Sequence, residues 1–70
     1  MFLETVTFMG NDILIRIDHI KCVYITYSDG SHKIVIKMDD ENKNEYIECF
    51  QCEDKLVARY QEIKSILNSK

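Results

Sequence analysis

The chain predicts an α+β fold: an antiparallel meander of five strands, able to curl into a half-barrel, followed by one C-terminal helix packed on the sheet. Three observations predict it. Apolar residues recur at every second position up to about Cys52. From there Leu56, Tyr60, Ile63 and Leu67 recur at helical spacing. Short turn signals separate the alternating runs, and short connections favour antiparallel neighbours, because parallel pairing needs long crossovers.

The elements follow in order. Residues 2–9 form the first strand, with Phe2, Val6 and Phe8 on one side and Glu4 interrupting the stripe. Gly10-Asn11 marks a tight turn, since both residues tolerate positive φ. Residues 12–18 form the second strand, where Ile13, Ile15 and Ile17 alternate with Leu14, Arg16 and Asp18. After Asp18-His19 the third strand, 21–27, places Val23, Ile25 and Tyr27 opposite Cys22, Tyr24 and Thr26. Ser28-Asp29-Gly30-Ser31 is a hairpin signal. The fourth strand, 32–38, carries Ile34, Ile36 and Met38 on one face and Lys33, Val35 and Lys37 on the other. Residues 39–44 are wholly polar and read as an exposed loop, and 45–51 as the last strand.

The helix spans about 53–68. Glu53 and Asp54 stand in its first turn, where free N–H groups and the macrodipole favour acids. Its stripe is Leu56, Val57, Tyr60, Ile63 and Leu67. Lys55, Arg59, Glu62 and Ser65 are expected to face water.

Seventy residues make one domain, residues 1–70. A chain this short buries only about 60% of its unfolded surface. Such scaffolds usually gain stability from disulfides, a metal or self-association. The net charge of −3 argues against a dedicated nucleic-acid binder, which carries a basic stripe. No signal peptide is expected, because Glu4 interrupts the apolar start and no basic region precedes it. No apolar run approaches the ~20 residues that span a bilayer. The expected setting is cytoplasmic, in a bacterial cell or a phage-infected host. There Cys22, Cys49 and Cys52 are expected as thiols. Richness in Ile, Lys, Asn and Asp resembles products of low-GC bacteria and their phages.

One sheet face (Ile13, Ile15, Ile17, Val23, Ile25, Ile34, Ile36) is expected to meet the helix. The other mixes Leu14, Tyr24, Val35 and Phe50 with Arg16, Thr26, Lys33 and Lys37. A curled sheet could shield it. Alternatively it is a partner or self-association surface, since apolar and basic positions with Tyr suit interfaces. The expected contacts are Arg16, Tyr24, Lys33, Val35 and Lys37.

His19 and Cys22 with Cys49 and Cys52 supply four ligand types for tetrahedral zinc. Neither pair has the Gly or Pro of a tight knuckle, so buried structural thiols are the simpler reading. Cys49 and Cys52 lack the βαβ setting of a redox pair. Ser28, Asp29, Ser31 and His32 share one tight hairpin, which leaves no oxyanion pocket. Asp39, Asp40, Glu41 and Glu45 lack calcium-loop spacing. No catalytic motif of high specificity is present, and no cofactor is implied. Lys33, Lys37 and Arg16 around Tyr24 also fit a small single-strand stacking face.

Two resemblances rest on layout. "FMGNDILIRIDHI", "DGSHKIVIKMDD" and "CEDKLVARYQEI" resemble, in turn, strand and helix order, the FlbD-type flagellar proteins. The order of five strands and a helix, with a Gly turn before the second strand, is similar to CsrA-type RNA regulators, which implies a dimeric β5α plan. The paired Arg near the first strand and the Gly-x-x-Ala-Pro stretch of that group are missing here.

The resulting expectation is a small acidic non-enzyme: a protein-interaction module or regulator that binds, and can inhibit, a host or defence protein, and that forms a homodimer. The alternatives are a nucleic-acid or nucleotide-binding β5α dimer and a zinc module through His19, Cys22, Cys49 and Cys52.

Overall fold

The computed structural model describes residues 1–7, 9–42 and 44–69. Five strands and one helix follow in the predicted order. They are β1 (Phe2–Val6), β2 (Asp12–Arg16), β3 (Ile20–Ser28), β4 (Ser31–Met38), β5 (Glu45–Phe50) and α1 (Glu53–Asn68). The fold is α+β, with every strand pair antiparallel.

The single five-stranded meander is not what forms. The strands make two sheets, β1–β2 and β3–β4–β5. The break lies at Ile17–His19, which is a 3-10 turn rather than strand. Ile17 is buried there at 1% exposure, while Asp18 and His19 are exposed. A buried Ile followed by two polar residues lets the chain turn a corner around the core instead of extending β2.

The first strand's facing is also corrected. Pairing with β2 sets Leu3 opposite Ile15 and Thr5 opposite Ile13. Leu3 and Thr5 therefore point inward, at 2% and 3% exposure, and Phe2 is 57% exposed. The strand period is two, so one step of register exchanges the faces. Phe8, the third member of the expected stripe, lies outside the described residues, as do Lys43 of the 39–44 loop and Lys70. The hairpin closes before strand pairing reaches residue 9: Gly10, at φ +86°, donates its N–H to the Thr7 carbonyl at 2.8 Å.

The second hairpin forms as its sequence requires. Asp29 and Gly30 both have positive φ, 52° and 76°. That is the conformation whose twist matches the flanking strands. The polar loop is tied by Asp40, whose carboxylate accepts bonds from the Asn44 backbone and side-chain amides.

The core is Leu3, Ile15, Ile17, Ile34, Ile36, Met38, Leu56 and Ile63, with Ile13, Ile20, Val23, Ile25, Tyr46, Phe50, Tyr60, Ile66 and Leu67 packed against it. Both sheets and the helix contribute to this core among the described residues. Phe50 belongs to this inner face, not the outer one, because it pairs with His32 rather than with Lys33. Val57 departs from the helix stripe and is 42% exposed. Ile66 takes the stripe position instead.

Candidate functional site

Strand parity sorts the expected contact residues. On β3–β4–β5 the outer face consists of three cross-strand rows. Cys22, Lys37 and Glu45 form one, Tyr24, Val35 and Ile47 the next, Thr26, Lys33 and Cys49 the third. Tyr24, Lys33, Val35 and Lys37 are thereby brought onto one surface. Arg16 is not, since it stands on β2 in the other sheet. Leu14 goes with it.

The middle row is the apolar centre of this face. Val35, on the central strand, is 4% exposed, flanked by Tyr24 at 40% and Ile47 at 39%. Val35 is therefore already covered, and an incoming surface would meet Tyr24 and Ile47. Ile47 also lines a groove of about 440 Å³ with Thr7, Met9, Asn11, Asn44, Glu45 and Tyr46. Met9 is 72% exposed there, so the apolar surface continues around the β5 edge. Charge rims it. The Lys37 ammonium lies 5.7 Å from the Tyr24 ring centre and 4.0 Å from the Glu45 carboxylate. Lys33 has no ion-pair partner among the described residues.

A second polar cluster joins β1, β5 and α1. Glu48, inward-facing on β5, is buried, and Arg59 of the helix reaches it with two bonds: Nε to one carboxylate oxygen at 2.8 Å and Nη2 to the other at 2.9 Å. The Thr5 hydroxyl donates to the same carboxylate at 2.7 Å. Arg59 Nη2 also donates to the Glu4 carbonyl at 2.6 Å, and Nη1 bonds Glu62. Arg59 does not face water, contrary to the sequence expectation. Instead it ties β1, β5 and α1 together. The sequence carries the signal: Arg59 stands three residues after Leu56 and four before Ile63, on the core stripe, and Glu48 shares strand parity with Tyr46 and Phe50.

Burial is the largest single influence on the Glu48 carboxyl and pushes its pKa up. The Arg59 and Thr5 hydrogen bonds and the Arg59 charge together outweigh it, holding the group below its ordinary 4.5. Glu48 raises the Arg59 pKa in return. A carboxylate depressed on folding stabilises the fold above its unfolded pKa, and that contribution is lost as pH falls through the folded value. The urea midpoint is accordingly expected to fall on acidification below about pH 4.5. In Arg59→Ala this acid dependence should shrink; equal dependence in both proteins would assign it to other carboxylates.

A groove of about 460 Å³ runs beside this cluster, lined among others by Phe2, Glu4, Phe50, Arg59 and Glu62. Its buried charges are already matched to each other, so the cluster is built to hold strands and helix in place.

The zinc set is dispersed. Cys22 stands opposite Lys37 and Cys49 opposite Lys33, on strands flanking β4. Strand spacing and rise separate them by roughly 15 Å. His19 lies in the 3-10 turn and Cys52 caps the helix through its backbone position. Among the described residues no group of three or more His, Cys, Asp or Glu side chains is placed to hold a metal. Cys22, Cys49 and Cys52 are free and exposed, not buried. No helix among the described residues is long and apolar enough to cross a membrane.

No protein-family model, curated protein or solved structure matches this chain.

Proposed function

We propose that the protein acts without catalysis, by holding another protein against the outer face of β3–β4–β5. The observation that carries this is the Tyr24–Val35–Ile47 row. An exposed aromatic and an exposed Ile flank a buried Val at the centre of a sheet, with lysines on the rows to either side. Interfaces favour this arrangement of an apolar centre with Tyr inside a charged rim. The partner surface it suits has an apolar ridge for Tyr24 and Ile47 and an acidic group opposite Lys33. A rigid binding face of this kind is all that an inhibitor of a host or defence protein requires.

Single-stranded nucleic acid suits the face less well. The Tyr24 ring already has the Lys37 ammonium beside it, Lys37 is also near Glu45, and the chain is acidic overall. Few cations remain for a phosphate backbone.

The test is photo-crosslinking in the cell of origin, with the reactive group at position 24 and, as control, at position 62 on the helix. Position 24 should yield an adduct with one protein, and Ile47→Ser should reduce it about tenfold or more, as loss of a central apolar contact does. An adduct with nucleic acid, or equal yields at 24 and 62, would defeat the proposal.

A further inference from the structure

The outer edge of β2 carries an inference independent of that face. Backbone parity in the first hairpin is fixed by two bonds: the Thr7 N–H to the Asn11 carbonyl at 2.8 Å, and the Ile17 N–H to the Met1 carbonyl at 3.2 Å. In an antiparallel pair, hydrogen-bonded and non-bonded residue pairs alternate. Leu3–Ile15 and Thr5–Ile13 therefore bond across the hairpin. Asp12, Leu14 and Arg16 turn their N–H and C=O groups away from β1. The Arg59 bond to the Glu4 carbonyl agrees, since Glu4 lies opposite Leu14 and must also point outward. No described strand pairs with this edge of β2.

The side chains on that edge are self-complementary. The strand reads Asp12-Ile13-Leu14-Ile15-Arg16. Turned through a two-fold axis at Leu14, it sets Asp12 opposite Arg16 of a second copy, Arg16 opposite Asp12, and Leu14 opposite Leu14. The residues that would then face each other are the three whose backbone groups are free, so each pair can exchange both N–H···O bonds. On the other face, Ile13 meets Ile15. Within the protomer, Asp12 and Arg16 have the apolar Val6 and Phe2 as cross-strand neighbours. Neither makes an ion pair among the described residues. Leu14 is 62% exposed and Phe2 57%. The edge carries no Pro, no Lys and no bulge, three of the devices that keep an edge from pairing, and its two charges, Asp12 and Arg16, are of opposite sign. β3, by contrast, has a register shift between Ile20 and Cys22, with Lys21 inside it.

From these observations we infer that the protein self-associates through β2, forming a two-fold antiparallel strand pair that joins two hairpins into one continuous sheet, β1–β2–β2–β1. The contact is isologous and closes at two copies. It leaves the β3–β4–β5 outer face free on both.

Charge reversal tests this. Asp12→Arg alone places like charges opposite each other at both ends of the strand pair, and Arg16→Asp alone does the same. Each is expected to weaken dimerisation about ten- to a hundredfold, from two cross-strand pairs changing sign. Both positions are exposed, so far-ultraviolet circular dichroism should match the parent. Mixing the two variants restores opposite charges at every pair. Native mass spectrometry should then show a heterodimer in preference to either homodimer. Tyr24→Ser with Ile47→Ser should dimerise like the parent. A parent chain that sediments as a monomer at every concentration would overturn the inference. So would single variants that dimerise as tightly as the parent, or loss of the dimer in the Tyr24/Ile47 variant alone, which would move self-association to the outer face.

Discussion

Arg59→Ala is expected to lower the unfolding free energy by about 2–4 kcal/mol, because it leaves the Glu48 carboxylate buried with only the Thr5 hydroxyl to satisfy it. The Glu48 and Arg59 side chains are 11% and 21% exposed, so solvent cannot replace the lost partner cheaply. The Glu4 carbonyl also loses its donor. For a domain of this length total stability is on the order of 4–10 kcal/mol, so the loss is a large share of the total. Arg59→Lys should recover less than half of the loss. An ammonium cannot present the two-pronged geometry that holds both carboxylate oxygens. Glu62→Ala should be nearly silent, since Glu62 is 60% exposed and such pairs contribute little. Urea denaturation of the three variants measures all of this. Equal stability of Arg59→Ala and the parent would show that the cluster is incidental to the fold.

Leu56→Ala is expected to cost about 2–5 kcal/mol, the range for emptying a packed site of this size. Leu56 is fully buried, at 0% exposure, in the core shared by both sheets and the helix. Alanine is the better helix former, so any loss reflects packing and not helix propensity. Val57→Ala supplies the control one residue away. Val57 is 42% exposed, and its truncation should change stability by no more than about 0.5 kcal/mol. Thermal melts distinguish the two. Similar losses at 56 and 57 would mean that the helix packs on a different face.

The two predictions act on the same joint from opposite sides. Leu56 and Ile63 fasten the helix through apolar contact. Arg59, lying between them on the stripe, fastens it through charge. The helix thereby fixes the spacing of β1 and β5, which border each other without forming a ladder. Arg59 takes the Glu4 carbonyl at that seam, one of the backbone groups a continuous sheet would have used.

Much of this protein was determined locally and can be read from the chain. The alternation of Ile34, Ile36 and Met38 against Lys33, Val35 and Lys37 gives β4 both its extent and its faces, because a strand has a period of two. Asp29-Gly30 dictates its own hairpin, since both positions need positive φ. The change to helical spacing after Cys52 places the helix at Glu53–Asn68. Neighbouring residues and backbone sterics decide these features.

What tertiary structure alone decided depends on residues far apart in the chain. Asp18-His19 marks a break locally, but Ile17 continues the alternation of Ile13 and Ile15, so the pattern alone does not place it in the turn; the core it enters splits the meander into two sheets. Phe2 or Leu3 could each have faced inward until pairing with β2 fixed the register. Arg16 and Tyr24 share a pattern in sequence and stand on different sheets in space. Arg59 has the composition of a solvated helix face, and becomes a structural centre because Glu48 and Thr5, 11 and 54 positions away, arrive beside it. Short-range periodicity specifies elements and their apolar faces. The choice of which faces meet is made by burial of one shared core, and by the requirement that each charge carried into it finds a partner.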